Sequence, residues 1–200
     1  MNYRIVFALI GLLLATAAEV AGISWWLYQV DQGRPLVGFL ALIAGEAIEL
    51  SVLAGLVVAN AREKPEQIER PVSLLAKLAL IIFSESLLWV LWLTLIPQIG
   101  FVAALIVLLA LMHLKHAAAI AVYAESSLSA ELLSPWDIIA TVLEVGGAAA
   151  FYHFFFANQA AVGIAILAVC ISIEHSLQIV AASSSSKRAA SAGDKRRPFS

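Results

Sequence analysis

The chain is dominated by long apolar runs, and several of them contain acidic or imidazole side chains near their middle. In the clearest example, residues 45–51 place Glu46 and Glu49 inside a run that is apolar over residues 36–59. Such a run is long enough to cross a bilayer as a helix. An ionised group at the centre of a membrane helix costs roughly 2.5–3.5 kcal/mol, so it usually faces the protein interior and often marks a functional site. The sequence therefore predicts an integral membrane protein with a polar centre.

The composition agrees with a membrane protein and excludes several other classes. Of the 200 residues, 62% are hydrophobic and 13% are charged, whereas a soluble domain has roughly a quarter charged residues. The single cysteine, Cys170, excludes an intramolecular disulfide and a zinc site built from several cysteines. The sequence has no phosphate-binding glycine loop, no metalloprotease helix motif and no basic patch for nucleic acid. The partner that the composition predicts is the lipid bilayer.

Turn signals divide the sequence into six predicted transmembrane helices within a domain of residues 1–182. The first run continues through Tyr28, which argues against a cleavable signal peptide. A short cytoplasmic connector is predicted at residues 124–134, Asn158 is predicted to cap the sixth helix, and the Ser-, Lys- and Arg-rich residues 183–200 are predicted to be a disordered tail. The first three predicted helices cover residues 4–30, 35–60 and 71–96. The fourth ends near residue 123, the fifth covers residues 135–157, and the sixth ends near residue 182.

The distribution of basic residues predicts the orientation in the membrane. One loop contains Arg62, Lys64 and Arg70, and the tail contains five more basic residues. Only Arg34 falls on the opposite side. Because cytoplasmic loops have an excess of Lys and Arg, both termini are predicted to be cytoplasmic, which requires an even number of spans. We therefore expect a multi-pass protein of the cell membrane.

Self-comparison of the sequence indicates an internal repeat. A shift of 125 residues aligns residues 16–22 with residues 141–147, and it aligns residues 48–51 with residues 173–176 without a gap. The matches include two glutamates and two glycines, which shared hydrophobicity alone does not explain. The first and last helical hairpins are therefore predicted to be copies of one unit.

The middle hairpin matches the other two less closely. A shift of 66 residues places Glu85 on Glu19, and one extra residue at the turn then places His116 on Glu49. Three hairpins inserted in the same direction can pack around a pseudo-threefold axis normal to the membrane, where their ionisable residues would converge. The predicted fold is thus all-helical, with six transmembrane helices arranged as three tandem hairpins. The predicted repeats cover residues 4–60, 71–123 and 135–182.

The repeat selects a set of candidate metal ligands at a common depth. Each first helix contributes one glutamate, and each second helix contributes a glutamate or a histidine. The six selected residues are Glu19, Glu49, Glu85, His116, Glu144 and Glu174. Glu46 and His113 align with one another in the repeat, and they are further candidates for a second metal site or for the surroundings of the first. His175 is a third further candidate, either as a ligand or as an interhelical hydrogen-bond donor.

This set of side chains predicts that the protein binds a divalent metal ion, and it is also compatible with two bound ions. Five carboxylates at one depth cannot all stay ionised without a compensating cation, so the alternatives are a metal, shared protons or a structural network of protonated acids. Oxygen ligands with some nitrogen favour Mn, Fe or Zn over Cu(I). The first hypothesis is therefore a transporter of such an ion.

Other functions remain open at the level of sequence. A pair of metal ions in lipid could oxidise a hydrophobic substrate, as carboxylate-bridged di-metal oxidoreductases do. A third hypothesis is a metal-free, proton-coupled carrier. A haem-binding protein is also considered, in which His116 and His175 would be the paired imidazoles.

Three aromatic residues lie at one matched position of the repeats. Trp26, Trp92 and Phe151 each come seven residues after the first-helix glutamate, so they lie on nearly the same helix face. They could form a lid over the polar centre or belong to the aromatic belt at the membrane interface. The sequence interpretation favours the belt.

Overall fold

The computed structural model describes the backbone of residues 3–61, 71–124 and 127–194, and the side chains of residues 6–52, 79–121 and 127–177. This part of the chain is all-helical and contains no strand. The predicted loop at 62–70 and the last residues of the tail lie outside it. The helices are α1 (Tyr3–Asp31), α2 (Pro35–Ala61), α3 (Pro71–Ile99), α4 (Phe101–Ala124), α5 (Leu128–Leu132), α6 (Pro135–Phe156) and α7 (Ala160–Asp194).

Six of these helices are long and apolar enough to span a membrane, and only the short α5 is not. The prediction of an all-helical protein with six candidate spans is therefore confirmed. The added helix α5 lies in the segment predicted to be a polar connector. The side chain of Ser127 caps α5 by accepting a hydrogen bond of 3.3 Å from the N–H of Ala130.

The turns from α1 to α2 and from α6 to α7 have the same backbone form. Gly33 has φ of 70°, and the N–H of Arg34 donates to the carbonyl of Gln29 at 2.8 Å. Asn158 has φ of 59°, and the N–H of the residue after it donates at 2.8 Å to the carbonyl of Phe154. A left-handed residue with this bond ends the preceding helix. The sequence interpretation of Asn158 as the start of the last helix is thus wrong, because its backbone conformation ends α6.

Two helix ends lie later in the chain than the sequence indicates. The helix α3 continues through Pro97 to Ile99, because the N–H of Gly100 donates to the carbonyl of Ile96 at 2.9 Å and closes the last turn. The helix α7 continues to Asp194, so it includes much of the tail predicted to be disordered. No Gly or Pro occurs between residues 164 and 192, and Ala, Lys and Arg favour helix.

The long helices pack as a closed bundle. Each contacts its neighbour along the chain, α7 also contacts α1, and α4 also contacts α7. Residues without large side chains bring the two helices of a hairpin close together: a Cβ on Gly45 would lie 2.8 Å from the carbonyl oxygen of Ala18 and 2.9 Å from Cα of Gly22. A Cβ on Gly147 would lie 2.7 Å from Cβ of Cys170. Small residues permit such close helix contacts in lipid.

The aromatic residues at the matched repeat position lie inside the bundle. Trp26, Trp92 and Phe151 are at most 3% exposed, whereas Trp25 and Tyr28 are 53% and 44% exposed. The belt interpretation is therefore wrong for the first three, because their common helix face points into the bundle. It remains compatible with the last two.

Buried and partly buried aromatic rings lie together on the side of the bundle where the three tight turns are. Ring centroids of Trp92 and Tyr152 are 5.5 Å apart, and those of Trp89 and Trp92 are 6.0 Å apart. We call this the aromatic layer. It comprises Trp26, Trp89, Trp92, Phe101, Phe151 and Tyr152.

Candidate functional site

Ionisable side chains from all six long helices meet in the interior of the bundle. None of them is more than 6% exposed. Each lies between about 16 and 23 Å from the turn-side end of its helix, at about 1.5 Å per residue, which is near the middle of a bilayer. These eight residues are Glu19, Glu46, Glu49, Glu85, His116, Glu144, Glu174 and His175.

The interior residues divide into two neighbouring groups. The acid cluster comprises Glu19, Glu46, Glu49, Glu174 and His175. The lysine cluster comprises Glu85, Lys115, His116 and Glu144. Three sets of three residues within these clusters each offer donor atoms that lie within 4.8 Å of one another. The sets are Glu19–Glu174–His175, Glu19–Glu46–Glu49 and Glu85–His116–Glu144.

One imidazole is the centre of the acid cluster. Nε2 of His175 lies 3.0 Å from Oε2 of Glu19, 3.1 Å from Oε1 of Glu49 and 3.5 Å from Oε2 of Glu174. Its Nδ1 lies 3.2 Å from Oγ1 of Thr16. A single ring nitrogen has at most one proton to donate. It therefore cannot satisfy all three carboxylates at once.

Glu46 has the least compensation of the interior carboxylates. Its side chain is completely buried, and neither of its carboxylate oxygens has a hydrogen-bond partner among the described residues. Its donor atom lies within 4.8 Å of those of Glu19 and Glu49. A buried polar group without a partner is strongly unfavourable. An ion or a proton shared among these three carboxylates would remove that penalty.

The lysine cluster contains an internal cation. Nζ of Lys115 forms a short ion pair with Oε2 of Glu85, and both side chains are at most 11% exposed. Nε2 of His116 lies 3.3 Å from Oε2 of Glu144. The other oxygen of Glu144, Oε1, is buried and has no hydrogen-bond partner among the described side chains and backbone.

A threonine fixes the orientation of the imidazole in the lysine cluster. Oγ1 of Thr141 donates its one proton to the carbonyl of Asp137, at 2.9 Å. The same oxygen lies 3.1 Å from Nδ1 of His116, so it must accept a proton from that nitrogen. In the neutral ring, Nε2 therefore has the lone pair. That nitrogen faces Glu144, as expected for a metal ligand oriented by its second ring nitrogen.

The same combination of threonine, glutamate and histidine occurs twice. In both cases a threonine precedes a glutamate by one helical turn, and an imidazole from another helix contacts both side chains. The two units are Thr16–Glu19–His175 and Thr141–Glu144–His116.

Eight of the nine ligands predicted from the sequence lie in the two clusters, and His113 lies apart from both. Nδ1 of His113 lies 3.0 Å from Oδ2 of Asp137, and its Nε2 lies 3.1 Å from the carbonyl oxygen of Leu132. The structure therefore does not bring His113 together with Glu46, although the two align in the repeat. His153 is exposed against Phe154.

Sequence reasoning did not assign a role to three residues of the site. Thr16 and Thr141 entered only as markers of the repeat, although their spacing from a glutamate places both groups on one helix face. No partner of Lys115 is predicted from the sequence either. Nothing in its own helix indicates that its partner is a glutamate of α3.

The fold and the clusters define a multi-pass helical membrane protein with buried Glu and His groups that could hold a metal ion. Comparison with known protein families, with curated proteins and with solved structures finds no match for the chain. The function must therefore be inferred from the geometry of the site.

Proposed function

We propose that the protein binds a divalent ion of Mn, Fe or Zn between the interior carboxylates and carries it across the membrane. The observation that carries this proposal is the three sets of buried donor atoms within 4.8 Å of one another. Donor atoms around one ion, with bonds of about 2.1 Å, lie about 3.0–4.2 Å apart. Small side-chain movements would thus bring each set to coordination distance.

The charge of the acid cluster supports a bound cation. The cluster combines four carboxylates with one imidazole, and the only lysine whose side chain the structure describes is in the other cluster. Buried carboxylates need a positive partner or a proton. A divalent ion supplies this charge, and its binding would release the protons that the acids otherwise hold.

The two sides of the site differ in a way that supports one-sided access. The aromatic layer covers the turn side. On the opposite side, Ala15 and Ala140 lie one helical turn from Glu19 and Glu144, and both alanines are completely buried. These small side chains fill less of the interior next to the clusters than the aromatic rings do on the turn side. We propose that the ion enters from there, which is the cytoplasmic side if the predicted orientation is right.

We also propose that the bundle consists of three hairpin repeats around a pseudo-threefold axis. Contacts at positions 125 residues apart support a relation between the first and last hairpins. A Cβ on Gly38 would lie 2.8 Å from the carbonyl oxygen of Trp26, and a Cβ on Gly163 would lie 3.0 Å from the ring of Phe151. In this arrangement each hairpin contributes one first-helix glutamate to a shared site.

A second candidate function is a di-metal oxidoreductase that acts on a hydrophobic substrate. It is favoured by Glu19, which belongs to two of the three donor sets. A carboxylate shared in this way can bridge two metal ions. Two ions per chain together with oxygen consumption would favour this candidate, whereas a single exchangeable ion would favour transport.

Metal binding is tested with the purified protein and Mn²⁺, by elemental analysis and calorimetric titration. The wild type should bind Mn²⁺, and Glu46→Gln should weaken binding by about tenfold or more, equivalent to about 1.4 kcal/mol. The matched control is Asp31→Asn, which removes an exposed acid at the end of α1. A folded wild-type protein that binds none of Mn²⁺, Fe²⁺ or Zn²⁺ would refute the proposal in favour of a metal-free carrier.

Transport is tested separately in proteoliposomes. The wild type should move Mn²⁺ into or out of sealed vesicles, with proton movement in the opposite direction. The variant Glu46→Gln should lose most of this flux, and Asp31→Asn should keep it. Tight binding without flux would leave a metal-binding protein but contradict the transport part of the proposal.

A further inference from the structure

Lys115 is exceptional among the residues whose side chains the structure describes. It is the only lysine in that part of the chain, and the only arginine there, Arg34, lies in an exposed turn. The ammonium group of Lys115 lies against the carboxylate of Glu85, deep inside the bundle. The amine is therefore placed where a bound cation would be.

The residues around Lys115 have the donor atoms of a metal site. Donor atoms of Glu85, His116 and Glu144 lie within 4.8 Å of one another, and all three side chains are buried. Thr141 leaves the lone pair of the neutral His116 ring on the nitrogen that faces Glu144. Oε1 of Glu144 has no hydrogen-bond partner among the described atoms. This set differs from the acid cluster chiefly in that an amine already contacts one of its three ligands.

We propose that Lys115 is a tethered counter-cation that keeps a second divalent ion out of the Glu85–His116–Glu144 site. This inference deepens the proposed function and rests on it only for the ion in the acid cluster. The ammonium group occupies the carboxylate of Glu85, and its positive charge repels a divalent ion nearby. The wild type would then hold one divalent ion and one lysine charge in its interior. Movement of the ion from the acid cluster toward Glu144 would require Lys115 to leave Glu85.

The number of bound ions tests this role. Lys115→Met removes the charge while keeping an unbranched side chain, and it should raise Mn²⁺ binding from one to two ions per chain. Lys115→Arg is the matched control, because it keeps a positive charge and should bind one ion. Electron paramagnetic resonance is an independent measurement. Two neighbouring Mn²⁺ ions in Lys115→Met should couple and broaden the six-line signal of the single ion in the wild type.

A competition experiment avoids dependence on one variant. In Lys115→Ala, methylammonium can take the position of the missing amine. Increasing methylammonium concentration should lower the occupancy of the second Mn²⁺ site while the first Mn²⁺ remains bound. It should have no such effect on the wild type. Size-exclusion chromatography and circular dichroism establish that each variant is folded before its ions are counted.

The possible results separate this inference from the proposed function. One ion in the wild type and two in Lys115→Met support both. No ion in the wild type and one in Lys115→Met support the role of the lysine but refute metal binding by the native protein. Two ions in the wild type, or one in both proteins, overturn the role of Lys115 and leave the proposed function standing. No ion in any folded variant overturns both.

Discussion

Thr141 is a residue whose contribution to the site goes through another side chain. Its hydroxyl group donates to the backbone and accepts from His116, so the imidazole is held with Nε2 toward Glu144. Thr141→Val removes the hydroxyl with little change of shape. Any metal affinity that depends on His116 should then fall by about 10–100-fold. The measurement is Zn²⁺ or Mn²⁺ titration in the Lys115→Met background, where this site is expected to be filled.

The matched control for Thr141 is Thr141→Ser, which keeps the hydroxyl and should bind within a few-fold of the parent protein. An affinity of the Val variant equal to that of the parent protein would show that the Thr141 hydroxyl does not position the imidazole. A loss in the Ser variant alone would instead point to the methyl group and to packing.

The sequence predicted most of the interior residues because burial of charge in lipid leaves few interpretations. Glu19 and Glu144 were selected by the repeat, and both lie in the clusters. The environment of His175 could not be predicted, since it depends on carboxylates from two other helices. The position of His113 was not predicted for the same reason. An alignment relates residues along one helix but does not say which helix lies opposite.

At the scale of the helix, two adjacent glycines of α6 differ in their surroundings: Gly147 packs closely against α7, and Gly146 does not. A Cβ on Gly147 would lie 2.7 Å from Cβ of Cys170, whereas a Cβ on Gly146 would meet nothing within 4 Å among the described atoms. Gly147→Ala should therefore separate the helices and lower the thermal unfolding temperature. Gly146→Ala should leave it unchanged or raise it, because Ala is favoured over Gly in a helix by about 1 kcal/mol. Thermal unfolding in detergent measures both effects.

A second substitution identifies the cause of that difference. Cys170→Gly removes the atom that the new Cβ would meet, so the pair Gly147→Ala/Cys170→Gly should recover most of the lost stability. If the double variant is as unstable as Gly147→Ala alone, the close contact with Cys170 is not the reason. Metal affinity should follow the same order, because the glycine lies one turn from Glu144 and the cysteine one turn from Glu174.

Helix existence was easier to predict than helix ends. Apolar length together with turn signals predicted the six spans that the structure contains. The helix α5 was missed, because five residues with a capping serine are too short to have a periodic pattern. The end of α7 was misplaced because a polar, Ala-rich segment can continue a helix without any apolar face.

At the scale of the whole molecule, the orientation in the membrane remains a prediction from basic residues. Single cysteines introduced into a Cys170→Ser background can test it with a membrane-impermeant maleimide. In intact cells, Arg34→Cys should react and Ser191→Cys should not, because the tail is predicted to be cytoplasmic. After the cells are opened, both should react. The reverse result in intact cells would place both termini outside.

The closed packing of the bundle was beyond the reach of sequence patterns. Hydrophobic runs predict which segments span the membrane, but the contact of α7 with α1 involves opposite ends of the chain. The sequence match between the hairpins is compatible with a ring, but it is equally compatible with three hairpins in a row. Only the three-dimensional arrangement brings Thr16 to His175.

The aromatic layer has a consequence for how membrane voltage would act on the site. If ions reach the carboxylates from the loop side only, a divalent ion crosses about half of the electric field before it binds. Moving two charges through half the field changes the binding free energy by about 2.3 kcal/mol per 100 mV. With the loop side facing an electrically negative cytoplasm, that potential opposes loading and lowers the apparent affinity about 50-fold per 100 mV when the released protons leave to the other side. Each proton that instead returns to the loop side cancels one of the two charges and so removes half of the effect on the binding free energy. By closing the turn side, the aromatic layer would thus make the ion occupancy of the site depend on the membrane potential.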